Sequence, residues 1–281
     1  MQGTLKDIVS EIRSLEPFPG VALKVLELSG QKDVVPNELI SIIQTDAGLT
    51  GKVLKLCNSA YYGFQREIAS LQEAGNLLGV QTLVNLVLTS STNRYFRDYG
   101  GAEDDASERL WRNSVATAIA ARMIASRDDK VDEERAYTAG LLQNIGHLVL
   151  ERFLSREREK VLVKVREGTG LIEAEQQVLG LHHAELGARL ATRWTLPEVL
   201  VDTIRYHHNP KRATADPVLC ATIHLAETLA WAVGTTEEET AMPYDVALIA
   251  FELTELTPEE FRTMDADLRG ELAKAADFLE A

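Results

Sequence analysis

The chain has 281 residues, of which 45% are hydrophobic and 26% are charged, and these proportions exclude disordered and fibrous proteins. Its 43 acidic and 29 basic side chains give a net charge of -14, which repels polyanions and argues against nucleic acid as a partner. No apolar run reaches the roughly 18 residues of a membrane helix, and no signal-peptide pattern is present, so we expect a cytoplasmic protein without a membrane partner.

Apolar residues at helical spacing predict a series of helices in the first hundred residues. Pro17 and Pro19 end the first one, Asp46 is the predicted N-cap of a later one, and Ser70 opens another with the spacing of a capping box. Gly48 and Gly51 inside the helix after Asp46 predict close helix packing there. The predicted helices cover about residues 5–15, 21–28, 36–43, 46–56, 70–78 and 80–95, and residues 58–64 are predicted to form a loop.

Residues 97–106 are rich in glycine and acidic side chains, and they predict a boundary between two helical lobes. The lobes are residues 1–100 and 107–235, and residues 236–281 are predicted to be C-terminal helices that pack on the second lobe. We find no run of alternating strands and no repeat, so the predicted fold class is all-α. The later predicted helices cover about residues 107–126, 141–150, 155–166, 171–179, 183–194, 197–207, 216–233, 245–253 and 258–279.

Several of these helices carry polar side chains within apolar surroundings, and such side chains require hydrogen bonds or a ligand when they are buried. If the helices pack around one axis, these side chains share a pocket. Gln143, Asn144 and His147 are predicted to lie on one face of a single helix. The candidate pocket residues are Asn113, Gln143, Asn144, His147, His183, His207, His208, His224 and Glu227.

The candidate pocket residues lie in or beside a series of sequence motifs, which are WRNS at 111–114, AGLLQNIG at 139–146, HAELGA at 183–188, LPEVLVDTIRYHH at 196–208 and HLAETLA at 224–230. The order of these motifs resembles the HD superfamily of metal-dependent phosphohydrolases. The first half resembles one branch of it, the HDOD (HD-related output domain) family, through PFPGV at 17–21, CNSAYYGF at 57–64 and AGNLLG at 74–79. The resemblance implies an N-terminal helical lobe packed on a degenerate HD-type helical lobe.

The resemblance also implies that the metal ligands of the catalytic relatives are replaced. Asn113 takes the place of the first His, Gln143 and Asn144 that of the His-Asp pair, and Glu227 that of the later Asp. Neutral amides are weak ligands for divalent cations, so we expect no bound metal, no cofactor, no catalytic residue and no enzymatic activity. His147 stands where the active relatives carry Lys.

His183, His207 and His208 match positions that serve a second metal in HD-GYP phosphodiesterases, but residues 209–211 read Asn-Pro-Lys instead of the GYP motif. These histidines and His224 could still meet Glu227 in a metal site. A second interpretation of His207 and His208 places them at a helix C-terminus, where the helix dipole favours imidazolium.

The resulting hypothesis is a non-catalytic signal transduction or regulatory module that acts through a protein partner. In it the polar residues form a hydrogen-bonded plug that sets helix register. Two alternatives remain open: an altered metal-dependent phosphohydrolase that uses the remaining histidines, and a pocket that binds a small molecule or nucleotide without hydrolysis. Cys57 and Cys220 are predicted to be buried free thiols.

Overall fold

The computed structural model describes residues 17–31, 35–100, 105–153, 155–234 and 246–280. Within these ranges the secondary structure is helical and contains no β-strand, which confirms the all-α prediction. No helix in these ranges combines the length and the hydrophobicity that crossing a bilayer requires. The helix predicted over residues 5–15 lies outside the described residues.

The first lobe is organised around its last helix, against which the others pack. Asp46 caps its helix as predicted, since its carboxylate accepts the backbone N–H of Leu49 at 2.9 Å. Ser70 likewise accepts the N–H of Glu73 at 3.1 Å. The helices of this lobe are α1 (Gly20–Ser29), α2 (Pro36–Ile43), α3 (Ala47–Cys57), α4 (Leu71–Leu78) and α5 (Val80–Gly100).

The second lobe surrounds a helix that is buried along almost its whole length, α13. The helices are α6 (Asp105–Ala125), α7 (Glu133–Leu142), α8 (Ile145–Phe153), α9 (Ser155–Arg166), α10 (Leu171–Leu179), α11 (His183–Arg193), α12 (Glu198–Tyr206), α13 (Pro217–Ala232), α14 (Leu248–Thr254), α15 (Pro258–Lys274) and α16 (Ala276–Leu279), with a 3-10 turn at Pro210–Arg212. Helix α6 packs against both α7 and α13, and α11 packs against α8 and α12.

Helix α5 joins the two lobes, because it also packs against α6, α7 and α8. It runs beyond its predicted end near Tyr95, since the next residue, Phe96, is buried against Trp111 of α6. Buried Asn85 accepts a hydrogen bond from Thr138 of α7 at 2.7 Å. Buried polar contacts of this kind tie the lobes together in one orientation.

The apolar segment at 141–150 is two helices rather than the single helix predicted. Helix α7 ends at Leu142, Gln143 and Asn144 form a turn, and α8 begins at Ile145. Helix α8 lies directly on α11, because a Cβ at Gly146 would overlap the carbonyl oxygen of His183 and lie 2.6 Å from the backbone N of Gly187. The break gives α8 a direction of its own, in which it makes this close contact.

Close packing is consequently found at glycines other than those predicted. A Cβ at Gly51 would meet no atom within 4 Å, and at Gly48 only a carboxylate oxygen of Asp46 at 3.4 Å. The close contacts lie in the second lobe, where a Cβ at Gly140 would come within 2.8 Å of the Cα of Ala118 in α6.

Two glycine substitutions are expected to change stability in opposite directions. Gly146→Ala should lower the free energy of unfolding by about 3 kcal/mol or more, because the added methyl group overlaps the backbone of α11. Gly51→Ala should raise the free energy of unfolding by about 0.5–1 kcal/mol. The added methyl group meets no atom in the folded chain, and alanine lowers the conformational entropy of the unfolded chain. Urea unfolding of both variants measures these effects, and equal stability of the two would contradict the close contact.

Candidate functional site

The side-chain amide of Asn144 lies at the centre of the predicted pocket, between Asn113 and Glu227. Asn144 donates from Nδ2 to Oδ1 of Asn113 at 3.2 Å and to Oε1 of Glu227 at 2.9 Å. The three residues are 2–4% exposed. A carboxylate oxygen only accepts hydrogen bonds when ionised, so Glu227 determines which end of the Asn144 amide faces it.

Gln143 points in a different direction from Asn144, which corrects the prediction of one shared helix face. Its Nε2 donates to Oγ1 of Thr117 at 3.3 Å, and its Oε1 has no hydrogen-bond partner among the described residues. His147, in α8, stacks on His183 with ring centroids 3.9 Å apart. The three side chains therefore have different partners, with Gln143 and Asn144 at the break between two helices and His147 in the second helix.

Three predicted histidines and one carboxylate that the sequence analysis missed form a second, adjacent group. Nδ1 of His183 lies 2.8 Å from Oε2 of Glu175, and its Nε2 lies 2.8 Å from Nε2 of His208. The rings of His207 and His208 lie 4.0 Å apart. Glu227 Oε2 lies 3.7 Å from His208 Nδ1 and 3.9 Å from His207 Nε2, so one carboxylate faces both groups.

Glu175 holds the first of these histidines in place. The same oxygen, Oε2, accepts the backbone N–H of His183 at 2.8 Å and faces its Nδ1. When Glu175 is ionised, Nδ1 of His183 carries the proton, and its Nε2 accepts a hydrogen bond from His208. The sequence does contain a signal for this residue, since Glu175 occupies the apolar face of α10 between Leu171 and Leu179 at a spacing of four.

His224 is not available to a ligand, although it was predicted to share the pocket. Its Nδ1 donates to the backbone carbonyl of His207 at 2.8 Å, and its Nε2 accepts the backbone N–H of Ala247 at 2.9 Å. Both ring nitrogens are used by the backbone. His224 therefore fixes the end of α12 and the segment before α14, which is a structural role.

Burial keeps the histidines neutral, which corrects the prediction of imidazolium at the end of α12. Desolvation is the largest cause that lowers the pKa of His207, and it lowers the pKa of His183 and His208 further, with neighbouring histidines adding to the shift. His207 also uses Nδ1 to donate to the carbonyl of Ile204 at 2.7 Å. The effect of burial exceeds that of the helix dipole here. Burial raises the pKa of Glu175, and the adjacent histidines and the His183 N–H partly oppose this shift.

The two groups differ in whether they fit a divalent cation. The first does not fit, because an N–H donor of Asn144 already lies between the remaining oxygens of Asn113 and Glu227, and an N–H group cannot bind a cation. The second does fit, since ring nitrogens of His183, His207 and His208 lie within 4.8 Å of one another. A cation there would replace the hydrogen bond between His183 and His208.

A family model of the HDOD domain matches residues 15–210, which is more than half of the chain. The chain belongs to the HDOD family. This membership confirms the resemblance seen in the motifs. The HDOD fold also appears in a crystal structure of an HDOD domain protein with unknown function from Geobacter sulfurreducens, which is 25% identical with a TM-score of 0.80 and 97% of each chain covered.

Two further proteins are similar to this HDOD chain. A candidate signal transduction protein from Marinobacter aquaeolei VT8 is 22% identical with a TM-score of 0.77, over 100% of this chain and 62% of that one. An uncharacterized protein from Treponema pallidum (strain Nichols) is 29% identical over 244 residues, which are 83% of this chain and 45% of that protein. The HDOD chain thus spans about half the length of that relative.

The neutral histidines predict that the free energy of unfolding decreases as the pH is lowered. Below the ordinary His pKa of about 6.5 the unfolded chain binds more protons than the folded one, because burial lowers the pKa of these rings in the folded state. The free energy of unfolding should decrease between about pH 7.5 and about pH 5.5, by up to about 1.4 kcal/mol at pH 5.5 for each ring that stays neutral. The raised pKa of Glu175 has the opposite sign and offsets part of the loss.

Urea unfolding at a series of pH values measures this dependence. His208→Gln should reduce the change of the free energy of unfolding with pH by the contribution of one proton. Gly51 lies on α3, far from the cluster in sequence, so Gly51→Ala should leave this pH dependence unchanged. A wild-type stability that does not change over this pH range would contradict the neutral state of the cluster.

Replacing the central amide by a carboxylate should be costly. Asn144→Asp loses both donated hydrogen bonds and places a second carboxylate beside Glu227, so we expect the free energy of unfolding to fall by about 3 kcal/mol at neutral pH. The loss should become smaller as the pH falls and the carboxylate pair takes up a proton. Chemical denaturation at pH 7.5 and 5.5 provides the measurement. Asn144→Ala, which adds no charge, is the control, and it should lack this pH-dependent component.

Proposed function

We propose that this HDOD chain is a non-catalytic signalling module that acts by binding another protein. The observation that carries the proposal is the hydrogen-bonded Asn144 amide, which fills the place where the resemblance locates a metal in the catalytic relatives. In the catalytic relatives a cation at this place would lower the pKa of a water molecule and stabilise charge on a phosphoryl group, and the Asn144 amide leaves no place for it.

Burial and packing of the pocket support a scaffolding role. Asn113, Asn144, His183, His207 and Glu227 are each at most 4% exposed, so a ligand that reached them would have to separate packed helices. This arrangement gives less support to the nucleotide pocket than to a buried polar plug. Such a plug would hold α6, α8, α11 and α13 in one register.

Family membership and charge support the choice of a protein partner. The HDOD family takes its name from an output domain, and the Marinobacter protein, which shares the fold, is named for signal transduction. A net charge of -14 disfavours nucleic acid. Cys57 and Cys220 are buried free thiols, as predicted, and they support a reducing compartment such as the cytoplasm.

A combined metal and activity measurement tests the proposal. The purified protein should contain no stoichiometric transition metal, and it should not hydrolyse bis(p-nitrophenyl) phosphate with added Mn²⁺, Ni²⁺, Zn²⁺ or Mg²⁺. Elemental analysis and absorbance assays measure these two properties. Metal-dependent turnover that His208→Ala abolishes, while Gly51→Ala preserves it, would refute the non-catalytic function.

The protein partner is tested separately by crosslinking in cells, followed by direct binding measurements with the purified candidate. A stoichiometric complex is expected, and it should survive His183→Gln if the histidine cluster has only a structural role. A chain that forms no complex with any crosslinked candidate would contradict the partner.

A second candidate function is an altered metal-dependent phosphohydrolase, and one observation favours it. The ring nitrogens of His183, His207 and His208 would hold the cation, with Glu227 facing the last two of them. A bound divalent cation would supply a Lewis acid for phosphoester hydrolysis. The chain's own contribution would be the neutral state of these rings, which leaves nitrogen lone pairs available for binding. The activity measurement above distinguishes the two functions.

A further inference from the structure

A cavity of about 600 Å³ lies in the first lobe, and none of the histidine-cluster residues lines it. Its walls come from residues 17–21, from the first turns of α3 and from the middle of α5. Its volume is in the range of cavities that hold small organic ligands. Its lining combines two cations and two carboxylates with hydroxyl groups and apolar side chains.

The α5 wall contains two buried hydroxyls without partners. Ser91, Arg94, Tyr95 and Asp98 line the cavity at spacings of three, four and seven, which places them on one face of the helix, and Ser90 lies beside them. Ser90 and Ser91 are 1% and 3% exposed. Neither hydroxyl has a hydrogen-bond partner among the described residues. Each hydroxyl oxygen has almost no accessible surface, so a ligand gains a hydrogen bond here only when the side chains of this wall adjust to expose it.

The opposite wall contributes a partly buried cation. Lys52 lines the cavity from α3 and forms no ion pair with a described residue. Burial lowers the pKa of Lys52, and the nearby cations Arg97 and Arg94 lower it further. Asp98 acts in the opposite direction, so the positive potential from the two arginines at this ammonium group is only partly compensated.

The two carboxylates of the lining already have partners, and one of these partners is Arg94, for which a bound anion would compete with Asp98. Asp46 accepts the N–H of Leu49 at the start of α3, and Asp98 lies 3.5 Å from the guanidinium of Arg94, with both of these side chains largely exposed. The N-terminus of α3, an eleven-residue helix, also opens on the cavity through Gly48 and adds a favourable dipole for an anion.

The apolar part of the lining connects the cavity to the second lobe. Val21 and Leu49 line it beside Tyr95. The Tyr95 ring packs edge-on against Trp194, with centroids 5.1 Å apart, and Trp194 is the C-cap residue of α11, the helix that begins at His183. An occupant that touches Tyr95 therefore contacts the joint between the lobes.

We propose that this cavity binds a small organic anion, with its phosphate or carboxylate group at Lys52 and Arg94, its polar edge at Ser90 and Ser91, and its apolar part against Val21, Leu49 and Tyr95. The proposal goes beyond the signalling function, because it gives the module a chemical input. It does not depend on whether the histidine cluster is catalytic.

The test uses phenyl phosphate, which combines a dianionic group with an apolar ring, and isothermal titration calorimetry with the full chain. Binding at micromolar to millimolar concentration is expected, weakened by added salt. Benzoate in place of phenyl phosphate shows whether a carboxylate suffices, and neutral benzyl alcohol should bind at least about tenfold more weakly.

Charge-removing variants assign the site. Lys52→Gln should raise the Kd about tenfold and Arg94→Gln, whose side chain is more exposed, about threefold. The matched control is Lys55→Gln, an exposed lysine on the same helix that does not line the cavity, and its Kd should equal that of the wild type. Thermal melting of each variant checks that the fold is retained.

Two results would overturn the proposal. One is a wild-type chain that binds neither phenyl phosphate nor benzoate at millimolar concentration. The other is equal binding by the Lys52→Gln and Lys55→Gln variants, which would show that any bound anion lies on the general surface. If the chain is catalytic, the hydrolysis assay shows it, and the two calorimetric binding results described here do not change.

Discussion

The second lobe depends on the contact between the backbones of α8 and α11 at Gly146. With no side chain at Gly146 or at Gly187, the two helices approach until peptide groups touch, and the stack of His147 on His183 follows from that distance. Gly140 also lets α7 lie close to α6, with a somewhat wider separation. Side chains of ordinary size would separate these helices, and the polar groups between them would lose their hydrogen-bond partners.

The chemistry at the centre shows what an amide does in place of a metal ligand. In a metal site, negative oxygens converge on a cation that compensates their charge. Here Glu227 accepts a hydrogen bond from Nδ2 of Asn144 instead, and the same nitrogen also donates to Oδ1 of Asn113. One uncharged side chain thus donates hydrogen bonds to two buried acceptors. The histidines nearby stay neutral for a different reason, because for His207 the cost of desolvation exceeds the favourable effect of the Glu227 and Glu175 carboxylates.

The two lobes are connected by side chains of α5 that contact helices of the second lobe. Asn85 reaches Thr138 across the α5 and α7 interface, and Tyr95 contacts Trp194 at the end of α11. The proposed anion cavity lies on one side of this joint and the histidine cluster lies on the other. Any movement of α5 would change the packing at Tyr95 and would reach α11 through rigid helix contacts. The architecture thus suits a module in which an event in one lobe changes the surface of the other.

The sequence by itself determined the helical fold, because helix formation rests on local spacing and capping. The helices at Ser155–Arg166 and Leu171–Leu179 match their predicted limits, and the Asp46 cap forms as expected. It also identified the residues that gather around Asn144, through the family resemblance. Only the tertiary structure decided where each side chain points. Gln143 turns to Thr117, His224 binds backbone atoms, and Glu175 joins the cluster. Each of these contacts joins different helices or turns, so it depends on how the helices pack. The neutral state of His207 was likewise decided by burial, since desolvation depends on helices that the local sequence does not contain.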